Sequence, residues 1–121
     1  MAINVDLEKA LAELAYAIAL ADGVLEEDEF DAFDSMIEEE MSDDAEGIRN
    51  LFLILRKRES PNIEQSYRQA MFAIKANKGE FTENLKAKYL KVITKIANSV
   101  QGLREEERKL IHRFERDANL I

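Results

Sequence analysis

The sequence predicts an all-α protein, a single compact bundle of about six to seven helices spanning residues 1–121 and built as two pseudo-repeated helix-turn-helix halves. Three observations carry this. The chain has one Pro and four Gly, no Trp, and a charged fraction of 35%, a composition that favours long helices over short strands joined by turns. Apolar residues recur at spacings of three and four through most of its length. Residues 78 apart also tend to match: Ile18, Ala19, Leu25, Glu27, Glu29 and Phe33 fall on Ile96, Ala97, Leu103, Glu105, Glu107 and Ile111. With 121 residues and a hydrophobic fraction of 46%, there is apolar surface for one core.

The first helix is expected from about Val5 to Ala21, where Leu7, Leu11, Leu14, Ile18 and Ala21 form a stripe that needs burial. Asp22-Gly23 ends it, Gly tolerating the left-handed backbone just beyond a helix. The second runs from about Glu26 to Met41 on a ridge of Phe30, Phe33, Ile37 and Met41, and four acids in its opening turn suit the positive end of the helix dipole. Ser42 is the expected N-cap of a third helix, with Ile48, Leu51, Phe52 and Leu55 inward, ending near Lys57. Ser60-Pro61 reads as a cap followed by a first helical position, which starts the fourth helix at Pro61 and carries it to about Asn77. Thr82 caps the fifth, with Leu85, Tyr89, Val92, Ile93 and Ile96 on one side and Lys88, Lys91 and Lys95 on the other. Gly102 precedes a sixth from about Arg104 to Asn119, burying Leu110, Ile111 and Phe114. Connections this short pack neighbouring helices antiparallel or at steep angles.

Helical spacing makes Phe30, Phe33, Phe52, Phe81 and Phe114 core residues. Tyr16 and Phe72 lie off the main stripes. They mark either a second packed face or an exposed partner site, and exposure of both rings would favour the second.

Several chemistries are excluded by arithmetic. There is no Cys and a single His, His112, so thiolate nucleophiles, disulfides, multi-His zinc sites and His-based triads are out. No stretch approaches the ~20 apolar residues of a membrane span, and the first residues do not read as a secretory signal. The expected location is cytoplasmic, with contact to the inner face of the membrane at most peripheral.

Charge is divided along the chain. From Ala10 through Ile48 there are fourteen acids and no Lys or Arg, whereas residues 49–121 hold sixteen of the seventeen Lys and Arg. The halves either neutralise each other on folding or present separate faces, an acidic one that concentrates cations and a Lys stripe for an anionic partner. A net charge of −8 and the lack of aromatics among the Lys residues argue against nucleic acid.

The turn Ala21-Asp22-Gly23-Val24-Leu25-Glu26-Glu27-Asp28-Glu29 carries the remaining chemistry. Asp22, Glu26 and Glu29 are the candidate metal ligands, their oxygens suiting a hard divalent cation, Ca²⁺ or Mg²⁺. A plainer reading has Asp22 capping the second helix, Gly23 making the turn and the acids answering the dipole. Asp22-Gly23-x-Leu25-x-x-x-Glu29 also matches the back half of an EF-hand loop, but its first and third ligand positions would be Ile18 and Leu20, which cannot coordinate.

A helix ending in Ala-Asp-Gly, with Leu25 two residues on and Glu29 four beyond that, resembles the signature of the TerB-like family of bacterial tellurite-resistance proteins, which also occurs as a domain in some J-domain proteins. The resemblance implies an all-helical fold with two similar halves. It further implies a role in tellurite or stress response, cation binding at Asp22, Glu26 and Glu29, and association with partners at the inner membrane face. In the second repeat, Val100 and Gln101 stand where Asp22 and Gly23 stand in the first, and Glu107 alone keeps its Glu. Tellurite, an oxyanion, would be repelled by the clustered acids.

The expectation is thus a non-enzymatic binding domain with a protein partner or an inner-membrane surface as its target, no nucleic acid, and no identified small-molecule substrate. One alternative is an oligomerisation or adaptor domain without metal, a homo-oligomer whose acidic half docks on a neighbour's basic half. Another is a carboxylate-based hydrolase, which needs two acids with pKa values pushed apart in a cleft.

Overall fold

All six expected helices form in the computed structural model, which describes residues 3–21, 27–57, 62–98 and 105–120, with the side chains of 27–29 excepted. They are α1 (Val5–Leu20), α2 (Glu27–Glu40), α3 (Ala45–Arg56), α4 (Ile63–Ala76), α5 (Glu83–Ala97) and α6 (Glu105–Asn119), with a short 3-10 turn (Ser42–Asp44) before α3. Among the described residues there is no strand, and no helix is long and apolar enough to cross a membrane.

Two starts differ from expectation. Ser42 does not cap the third helix. It opens the 3-10 turn, and Asp44 takes the N-cap position of α3 without a side-chain cap bond. The Asp44 carboxylate is committed elsewhere, accepting the Ile3 amide at 3.0 Å. The fourth helix starts at Ile63 rather than Pro61, because Asn62, with extended backbone, supplies the cap and accepts the Gln65 amide at 2.9 Å. Asn is among the strongest capping residues, so it displaces the Ser-Pro signal by two positions.

The core is organised around α1, which packs against α4, α3 and α5. Leu7, Leu11, Leu14 and Ile18 fill one side, while Ala10, Ala12, Ala15, Ala17 and Ala19 are buried around the rest of the helix. Small side chains let neighbouring helix axes approach closely, and the helix keeps high intrinsic propensity while doing so. Phe33 of α2 stacks on Phe52 of α3 with centroids 4.3 Å apart, and Tyr16 of α1 meets the same ring edge-on at 6.2 Å. Burying each such ring contributes roughly 1.5–3 kcal/mol.

The repeat seen in the sequence reappears as structure. Shifted by 78 residues, Val5–Leu20 becomes 83–98 and Glu27–Glu40 becomes 105–118, against the observed Glu83–Ala97 and Glu105–Asn119. The caps correspond as well: Asn4 accepts the Leu7 amide at 2.9 Å, and Thr82 accepts the Leu85 amide at 3.2 Å. Leu7, Leu11, Leu14 and Ile18 are buried, as are their counterparts Leu85, Tyr89, Val92 and Ile96. The halves meet where the Tyr89 hydroxyl donates to the Leu7 carbonyl at 2.5 Å.

Candidate functional site

Asp22 and Glu26 lie outside the described residues, as does the side chain of Glu29, whose backbone belongs to α2. What the structure places is the approach to them: α1 closes at Ala21, whose amide donates to the Ile18 carbonyl at 3.2 Å. Glu107, the counterpart of Glu29, is buried in the first turn of α6. Among the described residues, no three acidic or His side chains converge as a metal site would require.

A different feature stands out along the N-terminal half of α1. Helix α4 crosses α1 so that the two leave a groove of about 810 Å³ between them, with Ala10, Ala73 and Ala76 among its lining and Lys9 and Arg68 bringing charge to it. The Glu13 side chain also borders the groove and is itself 1% exposed. Phe72 stands at the lip with 76% of its surface exposed, although it lies in the middle of α4. The two off-stripe aromatics thus part company, Tyr16 being fully buried and Phe72 open to solvent. Among the large hydrophobic residues described as exposed, Val5, Ile54, Phe72 and Leu120, Phe72 is the aromatic one.

α4 is held to α6 by a charged cluster. Arg113 donates to both carboxylate oxygens of Glu64, at 2.6 and 2.8 Å, while its guanidinium lies 4.1 Å from the Tyr67 ring centroid. The hydrogen bond from Arg113, supported by one from Arg68, holds the Glu64 carboxyl down at about 2, against the upward push of desolvation. The Tyr67 hydroxyl donates to Asp117 at 2.6 Å, and burial together with that carboxylate pushes its pKa upward. Burial pushes Asp117 up, but the Tyr67 hydroxyl and Arg116 more than offset this and leave it below its ordinary value.

Part of the charge division is cancelled inside the fold. Arg49 of α3 bonds to Asp34 and Glu38 of the acidic α2. α2 also packs along α5, where Lys91 meets Glu40 at 3.4 Å. Lys86, on another face of α5, pairs with Glu83 at 2.9 Å and donates to Asn119 at 2.7 Å. The stripe of Lys88, Lys91 and Lys95 is therefore tied to the acidic half at Lys91, with Lys95 exposed.

One carboxyl pair escaped the sequence reading. Glu8 of α1 and Asp44 share a hydrogen bond, and desolvation of Glu8, followed by that bond and the Asp44 charge, raises the Glu8 pKa. Gly47 makes room for it, since a Cβ there would stand 2.9 and 3.0 Å from the two Glu8 oxygens. The pair joins residues 36 apart in sequence. Its only sequence signal was a glycine inside a helix.

Protein-family models, curated proteins and solved structures yield no match to this chain.

Proposed function

We propose that this chain is a binding domain rather than a catalyst, a TerB-like module that docks a protein helix in the α1–α4 groove and holds a divalent cation at the turn between α1 and α2. The observation that carries the docking reading is Phe72, exposed at the lip of the 810 Å³ groove. Its surroundings define the partner. Glu64, Arg68, Phe72 and Lys75 lie along one stripe of α4, acidic at its start and basic at its end, so they suit an antiparallel helix with the same gradient and a large apolar side chain. A protein is favoured over an inner-membrane surface because the Lys stripe of α5, the natural contact for anionic lipid, gives Lys91 to Glu40.

The cation reading is supported by the sequence Asp22-Gly23 with Glu26 and Glu29, and the stress-response role by the TerB-like signature those residues carry. An adaptor domain without metal is the alternative, and a carboxylate hydrolase ranks third.

Two measurements test this. Photo-crosslinking from a benzoylphenylalanine at Phe72 should give a discrete protein adduct in cell extract that the same group at Lys95 does not; equal labelling from both positions would remove the groove from consideration. Calorimetric titration of Ca²⁺ and Mg²⁺ into chelator-treated protein should show saturable heat that an Asp22→Asn, Glu29→Gln variant loses. Heat unchanged in the variant would leave the adaptor reading.

A further inference from the structure

We infer that the groove's partner is a second copy of this chain, the two α4 helices packing antiparallel about a twofold axis so that each Phe72 enters the other copy's groove. The inference rests on the docking reading and names its occupant.

The charge order along α4 carries the argument. At ~1.5 Å of rise per residue, Glu64 and Lys75 lie about 8 Å to either side of the midpoint of the stripe. An antiparallel pairing centred there sets Lys75 of each copy against Glu64 of the other, whereas a parallel pairing would oppose like charges. The same axis brings Arg68, whose side chain is 75% exposed, over Phe72 of the second copy, a cation–π contact of the kind Arg113 already makes with Tyr67 within the chain. Twofold symmetry repeats each contact, giving two aromatic anchors and two ion pairs from one self-complementary surface. Glu64 can serve both roles, because its two oxygens offer about four acceptor sites and its bonds to Arg68 and Arg113 leave the side chain 47% exposed. In this register the second copy's Phe72 comes level with residue 67, at the part of the groove lined by Glu64, Gln65 and Arg68.

The full 121-residue chain and its variants can be compared by sedimentation velocity over a concentration series, with circular dichroism confirming that each remains helical. A dimer is expected, weakened at least roughly 30-fold by Phe72→Glu and left unchanged by Ile54→Glu, which alters another exposed apolar residue (65%). Because the chain has no Cys, single cysteines report the geometry. Gln69→Cys, beside the axis, should oxidise to a disulfide-linked dimer, while Lys95→Cys should not. A chain that stays monomeric, or a dimer lost in Ile54→Glu but kept in Phe72→Glu, overturns the inference. If the monomer still gives a discrete adduct with another protein from Phe72, the docking reading survives and only the second copy is wrong; if neither association appears, both fail.

Discussion

Helices α1 and α5 are counterparts in the repeat, with matching caps and matching buried ladders, yet they end in opposite surroundings. Lys88, Lys91 and Lys95 occupy the positions held in α1 by Ala10, Glu13 and Ala17. In α1 all three are buried, while in α5 Lys91 and Lys95 are exposed and Lys88 is half-buried. The difference lies in what each helix must face. α4 lies across α1, and α5 turns the equivalent side outward. One design therefore makes a central helix when the second face is mostly alanine, and a boundary helix when that face carries lysine. The buried ladder sets how a helix attaches, and the opposite side sets whether anything covers it.

The strongest way to break this comparison is to exchange the faces. Ala17→Lys buries an ammonium where α1 has 0% exposure and should cost about 3–5 kcal/mol, enough to unfold a marginal domain. Lys95→Ala, the reverse change at the matching position, should stay within about 0.5 kcal/mol. Urea unfolding of both variants measures the contrast, and similar losses would mean that the two faces are not distinguished by cover.

A finer version concerns the caps. Removing either N-cap should cost about 1 kcal/mol, but Asn4 also donates to Asn77 at 2.8 Å and to Glu80. Asn4→Ala should therefore destabilise more than Thr82→Ala, read as the larger fall in thermal midpoint. Equal losses would mean that the bonds to the turn after α4 contribute nothing net.

The smallest effects, those of pH, distinguish α1 from the α4 that covers it. Glu8 in the first half has a raised pKa, so the folded state holds its proton more tightly than the unfolded chain does. That contribution is complete below the ordinary carboxyl value of 4.5 and disappears as pH rises through the folded value. Glu64, held at about 2, behaves in the opposite sense: its contribution is present above 4.5 and is lost as pH falls toward 2. Being exposed to solvent, it is discounted by screening. Glu8→Gln, which keeps the hydrogen bond without the titration, should stabilise the protein at neutral pH and flatten the alkaline side of its profile. Glu64→Gln should flatten the acid side. Denaturation midpoints across pH 3–8 check both, and a Glu8→Gln profile parallel to that of the unmodified chain would refute the shared-proton account.

Sequence spacing located all six helices because their buried ladders are regular and their ends carry Asn, Thr or Gly. It misplaced the starts of α3 and α4, where long-range demands on Asp44 and a stronger cap at Asn62 overrode a local Ser signal. The repeat was visible in a handful of identities, and its structural counterpart is a pair of helices whose bounds agree to within a residue or so. The groove was not legible, since it depends on how α4 crosses α1, and periodicity does not encode crossing angles. Phe72 lies off the main stripe, but so does Tyr16, which is buried. Being off the main stripe separates two packed faces from one only when the neighbours are known. The Glu8–Asp44 pair was invisible for a similar reason, because two acids far apart in sequence give no sign that they will share a proton.

The alanine-rich surface of α1 has a consequence for the order of assembly. The helices packed on α1, namely α3, α4 and α5, begin at residues 45, 63 and 83, so during synthesis the most completely enclosed of these helices precedes every neighbour that covers it. Small side chains make that order less hazardous, because alanine exposes far less apolar area than leucine and offers little for other nascent chains to adhere to. The same residues that let α4 approach closely in the finished protein also limit the apolar area that an unfinished one exposes.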